Sequence, residues 1–280
     1  MRTTVYTSDK KTHFFQELKA IYRDTRSSNF LAYQMAKRDL QSQYRQSLLG
    51  FFWAFVPIIT NSVVWLFLNS SGTVNVNAES SVPYVVFVII GTTLWSIFTE
   101  SLLIPLTSVN AAKSILSKIN FPKEALLISG LYKMVFNLVL KLLLIAAILL
   151  IYGIKPGSSL IAFPFILLVI TISSFSLGLL LTPIGLIYTD IGKMLTTAVA
   201  FIMYITPVVY AVPKQGLFKK LFELNPLTYM FNDARSSLIN LPLENTSFII
   251  ISAAVSFLVM LIGLVIFRKS MPIIIEKIGM

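Results

Sequence analysis

Apolar, charge-poor runs separated by short polar segments occupy most of this chain. They fall at residues 48–68, 84–105, 125–152, 160–187, 194–212 and 247–267. A helix needs about 20 apolar residues to cross the hydrocarbon core of a bilayer, and each run approaches or exceeds that length. Short segments alternating with a two-residue period are missing, which argues against an outer-membrane barrel. The pattern predicts an all-α integral membrane protein with six transmembrane helices.

Two departures from this alternation add elements. The first 47 residues are polar on average, yet Phe14, Leu18, Ile21 and Tyr22 recur at helical spacing, as do Phe30, Tyr33, Ala36, Leu40 and Tyr44. The polar stretch 23–29 separates the two patterns, and Asn29 suits a helix N-cap. Two amphipathic helices are therefore expected, the second lying at the membrane interface. It runs without a linker from RDLQSQYR into SLLGFFWAF. A charge in hydrocarbon costs roughly 2.5–3.5 kcal/mol on insertion scales, so Arg45 marks the water boundary and Leu48 the start of the first span.

On the opposite side, segment 213–246 is too apolar for a simple loop. Leu217, Phe218, Leu221, Phe222 and Leu224 share a helical face, Asn225-Pro226 breaks the pattern, and Leu227, Tyr229, Met230, Phe231 and Leu238 resume it. Two short external re-entrant helices are predicted here, since irregular backbone at membrane depth needs protein or a water-filled cavity around it. Helices resting on the outer interface are the alternative. The chain thus divides into a cytosolic amphipathic region (1–47), a membrane domain (48–267) and a tail (268–280).

Composition agrees: 56% of residues are hydrophobic and 12% charged, with mean hydropathy +0.79, outside the range of soluble domains. The polar N-terminus gives no sign of a removable signal peptide, so the first span is expected to act as the anchor. Lys and Arg set the orientation. Segments 1–47, 106–124, 188–193 and 268–280 hold 9, 3, 1 and 3 of them, against 0, 1 and 4 in segments 69–83, 153–159 and 213–246. Basic residues near span ends stay cytosolic, which places both termini in the cytosol. The net charge of +11 suits anionic lipid headgroups or an acidic partner and does not require nucleic acid.

Candidate chemistry is sparse. The chain has no cysteine, its lone His13 has no ligand at metal spacing, and no GxxxxGK[ST] stretch exists to cradle a nucleotide. Neither a metal site nor an enzyme active site is expected. Glu100, Lys133 and Lys141 are charges inside predicted spans, and Glu100 and Lys133 lie at similar depths, so they could pair. The compact connections 106–124, broken at Phe121-Pro122, and 188–193 are suited to docking. Phe51, Phe52, Trp53, Phe55, Trp65 and Phe67 in the first span, with Phe201, Tyr204 and Tyr210 in the fifth, could line a channel for a glycan, because sugars stack on aromatic rings. Ordinary packing against lipid and neighbouring helices is the competing explanation.

RDLQSQYRQSLLGFFWAFVPII, ILSKINFPKE, LIYTDIGKML, ITPVVY and LNPLTYMFNDARSSLI, in that order, resemble the signature stretches of membrane subunits of ATP-binding-cassette polysaccharide exporters, the O-antigen, teichoic acid and capsule permeases. The resemblance covers residues from about 30 to 270. It implies a homodimer of six-span subunits in the bacterial inner membrane, working with two copies of a separate ATPase that holds the ATP and Mg. The implied substrate is a glycan on undecaprenyl diphosphate, most simply O-antigen, moved from the cytosolic leaflet outward.

Matched by motif, Arg38, Asp39, Tyr44 and Arg45 belong to the interface helix, and Ser117, Lys118, Phe121, Pro122 and Asp190 to the ATPase-coupling connections. Asn225, Pro226, Tyr229 and Arg235 belong to the external gate. Relatives often carry an arginine where this chain has Thr189. Independently, Lys37, Arg38 and Arg45 suit a diphosphate, since guanidinium binds phosphate oxygens bidentately. Other readings are a small-molecule or drug exporter permease, or, from another class, a polyprenol-handling membrane enzyme, which would need an acidic or His-rich cytosolic loop.

Overall fold

The computed structural model describes residues 14–45, 47–72, 82–116, 118–212 and 215–279, apart from the side chains of Tyr44, Leu217, Phe218, Ile278 and Gly279. These residues form helices and connections, with no strand among them. The helices are α1 (Phe14–Arg45), α2 (Val56–Ser70), α3 (Tyr84–Ala111), α4 (Lys113–Leu116), α5 (Glu124–Ile151), α6 (Phe163–Ile187), α7 (Thr189–Ile202), α8 (Leu217–Leu224), α9 (Pro226–Leu238) and α10 (Thr246–Gly279). Short 3-10 turns precede α2 at Gly50–Ala54, precede α6 at Ser158–Ala162 and follow α7 at Met203–Ile205.

Four stretches among the described residues are long and apolar enough to cross a membrane: Tyr84–Ala111, Glu124–Ile151, Ser158–Ile187 and Thr246–Lys277. α3 and α6 form the centre, with α5 against α3 and α10 along α6. Most of α3 is buried, whereas α5 and α10 turn rows such as Val135, Val139 and Leu143, or Ile251, Val255 and Leu258, outward. Many of the hydroxyls inside these helices are satisfied locally, as apolar surroundings favour. Ser101, Ser174 and Thr182 each donate to the carbonyl four residues earlier. Others join helices, Ser62 to Thr92 at 2.9 Å between α2 and α3, and Ser173 to Ser256 at 2.6 Å between α6 and α10.

The other two predicted spans differ from expectation. Run 48–68 is not one helix: Gly50 has φ +49°, a 3-10 turn follows, and α2 begins only at Val56 with Pro57 in its first turn. The Pro57 ring would clash with the carbonyl of Trp53 in a continuous α-helix, which ends any helix arriving from the N-terminal side. Run 194–212 likewise stops. α7 starts early, at Thr189, and the chain leaves helical geometry at Thr206 (φ −118°, ψ 138°), the residue before Pro207. At 15 and 14 residues, α2 and α7 are about 22 and 21 Å long, less than the roughly 30 Å of hydrocarbon.

The N-terminal region also differs. In place of two helices, α1 is one helix of 32 residues, about 48 Å long. The polar stretch at its middle is helical throughout, with the Ser27 and Ser28 hydroxyls turned back to the Asp24 carbonyl, at 3.0 and 2.6 Å. Asn29 therefore caps nothing. The expected grouping of Ala36 with the aromatics does not hold either: Ile21, Ser28, Ala32 and Ala36 are buried, while Phe15, Tyr22, Phe30 and Tyr33 are exposed. The helix lays a stripe of mostly small residues on the protein and turns its rings outward.

Candidate functional site

Where α10 passes the start of α5, a single guanidinium joins three helices. Arg268 of α10 meets Glu17 at 3.1 Å and Asp24 at 2.7 Å on α1, and Glu124 at 2.5 Å at the start of α5. Farther along α1, Tyr132 Oη donates to Asn29 Oδ1 at 2.7 Å, and Lys133 Nζ to Asp39 Oδ2 at 3.0 Å. Asn29 and Asp39 stand about 15 Å apart along α1, whereas Tyr132 and Lys133 are neighbours on α5, so the helices cross at an angle.

Arg38 holds Asp39 from the other side, at 2.9 Å. Partial burial pushes the Asp39 carboxyl up, but hydrogen bonds from Arg38 and Lys133 outweigh it and hold the group below the usual carboxylate value. Lys37, Arg38 and Arg45 are all exposed. Arg38 is already against a carboxylate, that of Asp39.

The connection from α3 to α5 is a short helix (α4) and then a sharp return at 118–123. Lys118 is exposed, and Phe121 packs beneath the connection with Lys123 Nζ 4.6 Å above its ring. Burial lowers the Lys123 pKa, with the neighbouring Glu124 charge opposing the shift in part. Ser117 lies outside the described residues. A cavity of about 710 Å³ opens here, bounded by Lys118, Phe121 and Pro122 on one side and Asp24, Arg268 and Pro272 on the other. The second connection is a single extended residue, Tyr188, between α6 and α7. Asp190 is exposed in the first turn of α7, where the helix dipole favours a carboxylate.

Within the bundle, Glu100 does not pair with Lys133. It accepts from Lys141 and from Asn137 Nδ2, each at 2.5 Å, and Lys141 also donates to the Ser96 carbonyl at 3.2 Å. The pair was misread because Lys133 lies under α1, whose Asp39 satisfies it. That partner becomes visible only once α1 is placed.

The aromatic residues separate into groups. Phe51 lies against Phe136 of α5 at 5.8 Å, and Phe52 against Phe55 at 6.3 Å. Trp65 bridges the first and fifth predicted spans, 6.3 Å from Tyr204 and 6.1 Å from Tyr210. Phe52, Trp53 and Phe201 are more than half exposed, so within one subunit these rings line an open face and do not enclose a channel.

At the opposite end, α8 and α9 appear as two short helices broken at Asn225. Asn225 Oδ1 accepts from the Leu227 amide at 3.0 Å, while its Nδ2 donates to the Ile205 carbonyl at 2.9 Å and to Thr206 Oγ1 at 2.8 Å. Pro226 takes the first helical position, where its missing N–H costs nothing. Tyr229 donates to the Glu223 carbonyl at 2.7 Å, and its ring lies 4.6 Å from Phe248.

Arg235 is 4% exposed. Its Nη2 donates to the carbonyls of Pro207 and Val208, at 2.9 and 2.8 Å, and its guanidinium stacks 3.6 Å from the centre of the Phe87 ring. Tyr84 Oη donates to the Val209 carbonyl at 3.0 Å. The unwound end of the fifth predicted span is thus held by side chains from α3 and α9, which is how irregular backbone survives away from water. Gly91 makes the room: a Cβ there would strike the Val208 carbonyl and the Arg235 guanidinium.

Sequence reasoning missed Arg268 with Glu17, Asp24 and Glu124, and also Gly91 and Phe87. Arg268 reads in sequence as one more basic residue at a cytosolic span end, and its partners lie 144 or more positions away. No local signal distinguishes Gly91 from other mid-span glycines.

Helices of membrane-crossing length, compact connections at one end and a side-chain-pinned cap at the other define a multi-pass membrane protein of the transporter type. The chain belongs to the ABC-2 type transporter family, whose model matches residues 31–239. It is 25% identical over 240 residues to the O-antigen export system permease protein RfbA of Klebsiella pneumoniae, covering 84% of this chain and 90% of that one. The protein of the same name from Myxococcus xanthus is 24% identical over 201 residues, 70% of this chain and 75% of its own. The family membership implies pairing with an ATP-binding subunit.

Proposed function

We propose that this chain is the membrane subunit of an ATP-driven exporter that moves an undecaprenyl-diphosphate-linked polysaccharide, O-antigen in class, from the cytosolic to the outer side of the inner membrane. The similarity to O-antigen export permeases over 84% of the chain carries this reading. ATP and Mg reside on the partner ATPase, and two copies of each subunit form the transporter. The termini are cytosolic, and the 3-10 turn with α2, and α7 with its unwound end, serve as the first and fifth of six spans. α8 and α9 dip into the outer half of the bilayer as the external gate.

In this reading α1 lies at the cytosolic interface, its exposed rings in lipid and Lys37, Arg38 and Arg45 at the headgroup level. These cations meet the diphosphate, and the glycan passes along the face lined by Phe51, Phe52, Trp53, Phe55, Phe201, Tyr204 and Tyr210. The connections carrying Ser117, Lys118, Phe121, Pro122 and Asp190 receive the ATPase. Purification of the tagged chain is expected to recover an ATP-binding subunit whose hydrolysis is stimulated by the lipid-linked glycan. Combined Arg38→Ala and Arg45→Ala substitution is expected to abolish the stimulation and export while leaving basal hydrolysis. Unchanged stimulation would remove the arginines from substrate capture, and absence of any ATP-binding subunit would remove the reading itself.

A further inference from the structure

Arg268 occupies an unusual position. Its one charge faces carboxylates on two other helices, Glu17 and Asp24 of α1 and Glu124 of α5, at 2.5–3.1 Å, and its side chain is 17% exposed. Glu124 is the first residue of α5 and directly follows the connection 118–123, so a displacement of that connection reaches the guanidinium within one or two residues. One turn further on, Pro272 lies inside α10. A proline inside a helix removes one backbone hydrogen bond and clashes with the carbonyl four residues earlier, which here is that of Arg268. The node therefore sits where α10 can bend. The cavity of about 710 Å³ between the connection and residues Asp24, Arg268 and Pro272 leaves space for such movement.

We propose that Arg268 is a positioning residue that couples the connection 118–123 to α1, so that the amphipathic helix moves with the connection when the ATP-binding subunit acts on it. The inference rests on the function proposed above, but it assigns transmission to one side chain and one route. Glutamates and aspartate on two helices bound to one planar donor make a joint that resists separation, since guanidinium offers five N–H groups in a fixed fork. A lysine at the same place is a point charge with three donors and cannot serve all three carboxylates with the same geometry. α1 carries Lys37, Arg38 and Arg45, so movement passed through Arg268 would reposition the basic flank of the same helix.

Because the chain has no native cysteine, a pair of introduced cysteines is spin-labelled with no native thiol to replace. Labels at Tyr22 of α1 and Ile119 of the connection, both exposed, would report their separation in the reconstituted complex with its ATP-binding subunit. With Arg268 intact, the distance distribution is expected to be the same without nucleotide and with a non-hydrolysable ATP analogue. With Arg268→Ala it is expected to broaden and to shift between the two states, with export reduced at least tenfold and ATP hydrolysis within about twofold. Arg268→Lys should fall between. If Arg268→Ala does not assemble, Glu124→Gln and Asp24→Asn, each removing one arm, are expected to give the same split between hydrolysis and export. A distribution independent of nucleotide in every variant, with export retained, overturns the inference while leaving the exporter function intact. Failure of the unsubstituted chain to recover an ATP-binding subunit instead overturns the function on which the inference depends.

Discussion

Arg235 and Glu100 illustrate two ways of keeping a charge inside a helical bundle. Arg235 faces an aromatic ring and two backbone carbonyls, so its positive charge meets dipoles and a quadrupole, and no carboxylate among the described residues lies in ion-pair range. Its place depends on the missing side chain at Gly91. Gly91→Ala is expected to displace the Val208 carbonyl and to destabilise the detergent-solubilised protein by about 1–3 kcal/mol, the usual range for overpacking. A thermal melt lowered by a few degrees checks this, and an unchanged melt would show that the cap yields freely. Glu100 uses direct pairing with Lys141. Removing one member strands the other, so Glu100→Gln or Lys141→Met alone should cost about 3–5 kcal/mol, while the double substitution costs less than the sum. The measurement is a double-mutant cycle on thermal stability, and additive losses would mean that the pair is not coupled.

At the scale of elements, the docking of α1 is governed by polar contacts on an otherwise small-residue stripe. Asp39 has a carboxyl pKa held below its unfolded value of 3.8, so its ionised form favours docking. That contribution is complete above pH 3.8 and disappears as pH falls through the lower, folded value. Hydrogen exchange of α1 is therefore expected to be flat from about pH 5 to 8 once corrected for intrinsic rates, and the low-pH loss around Asp39 should be smaller in Asp39→Asn, whose α1 is more weakly docked throughout, while the part carried by Glu17 and Asp24 on Arg268 persists. Prolines set the other element boundaries. Replacing Pro207 by Ala restores a backbone donor before the unwound segment and is expected to extend α7 by part of a turn, seen as added amide protection near Thr206. Little change in protection would show that Arg235, Asn225 and Tyr84 alone keep the segment unwound.

For the whole molecule, the proposed transporter needs two copies to meet, and the exposed rings of the 3-10 turn at 50–54 and of α7 are proposed as the meeting surface. Single cysteines at Trp53 or Phe201, in a chain that has none, are expected to give a dimer band on oxidation in membranes, whereas Leu150→Cys on the outer flank of α5 should not. Equal cross-linking at all three positions would point to random collision.

Apolar patterning by itself determined that this is a helical membrane protein, roughly where α3, α5, α6 and α10 begin, which segments carry the basic residues, and the break at Asn225-Pro226 between α8 and α9. These properties depend on transfer from water to hydrocarbon and on local backbone chemistry, and both act over a few residues to a span. The same patterning runs past Pro57 and Pro207, because an apolar run continues through a proline although each proline removes a backbone donor. Tertiary structure alone decided that Lys133 serves Asp39 and Lys141 serves Glu100, that Arg268 gathers carboxylates from two other helices, and that Gly91 admits Arg235 to the broken backbone. Charge pairing and close packing are set by which helices meet and at what angle, and no periodicity within one helix carries that information.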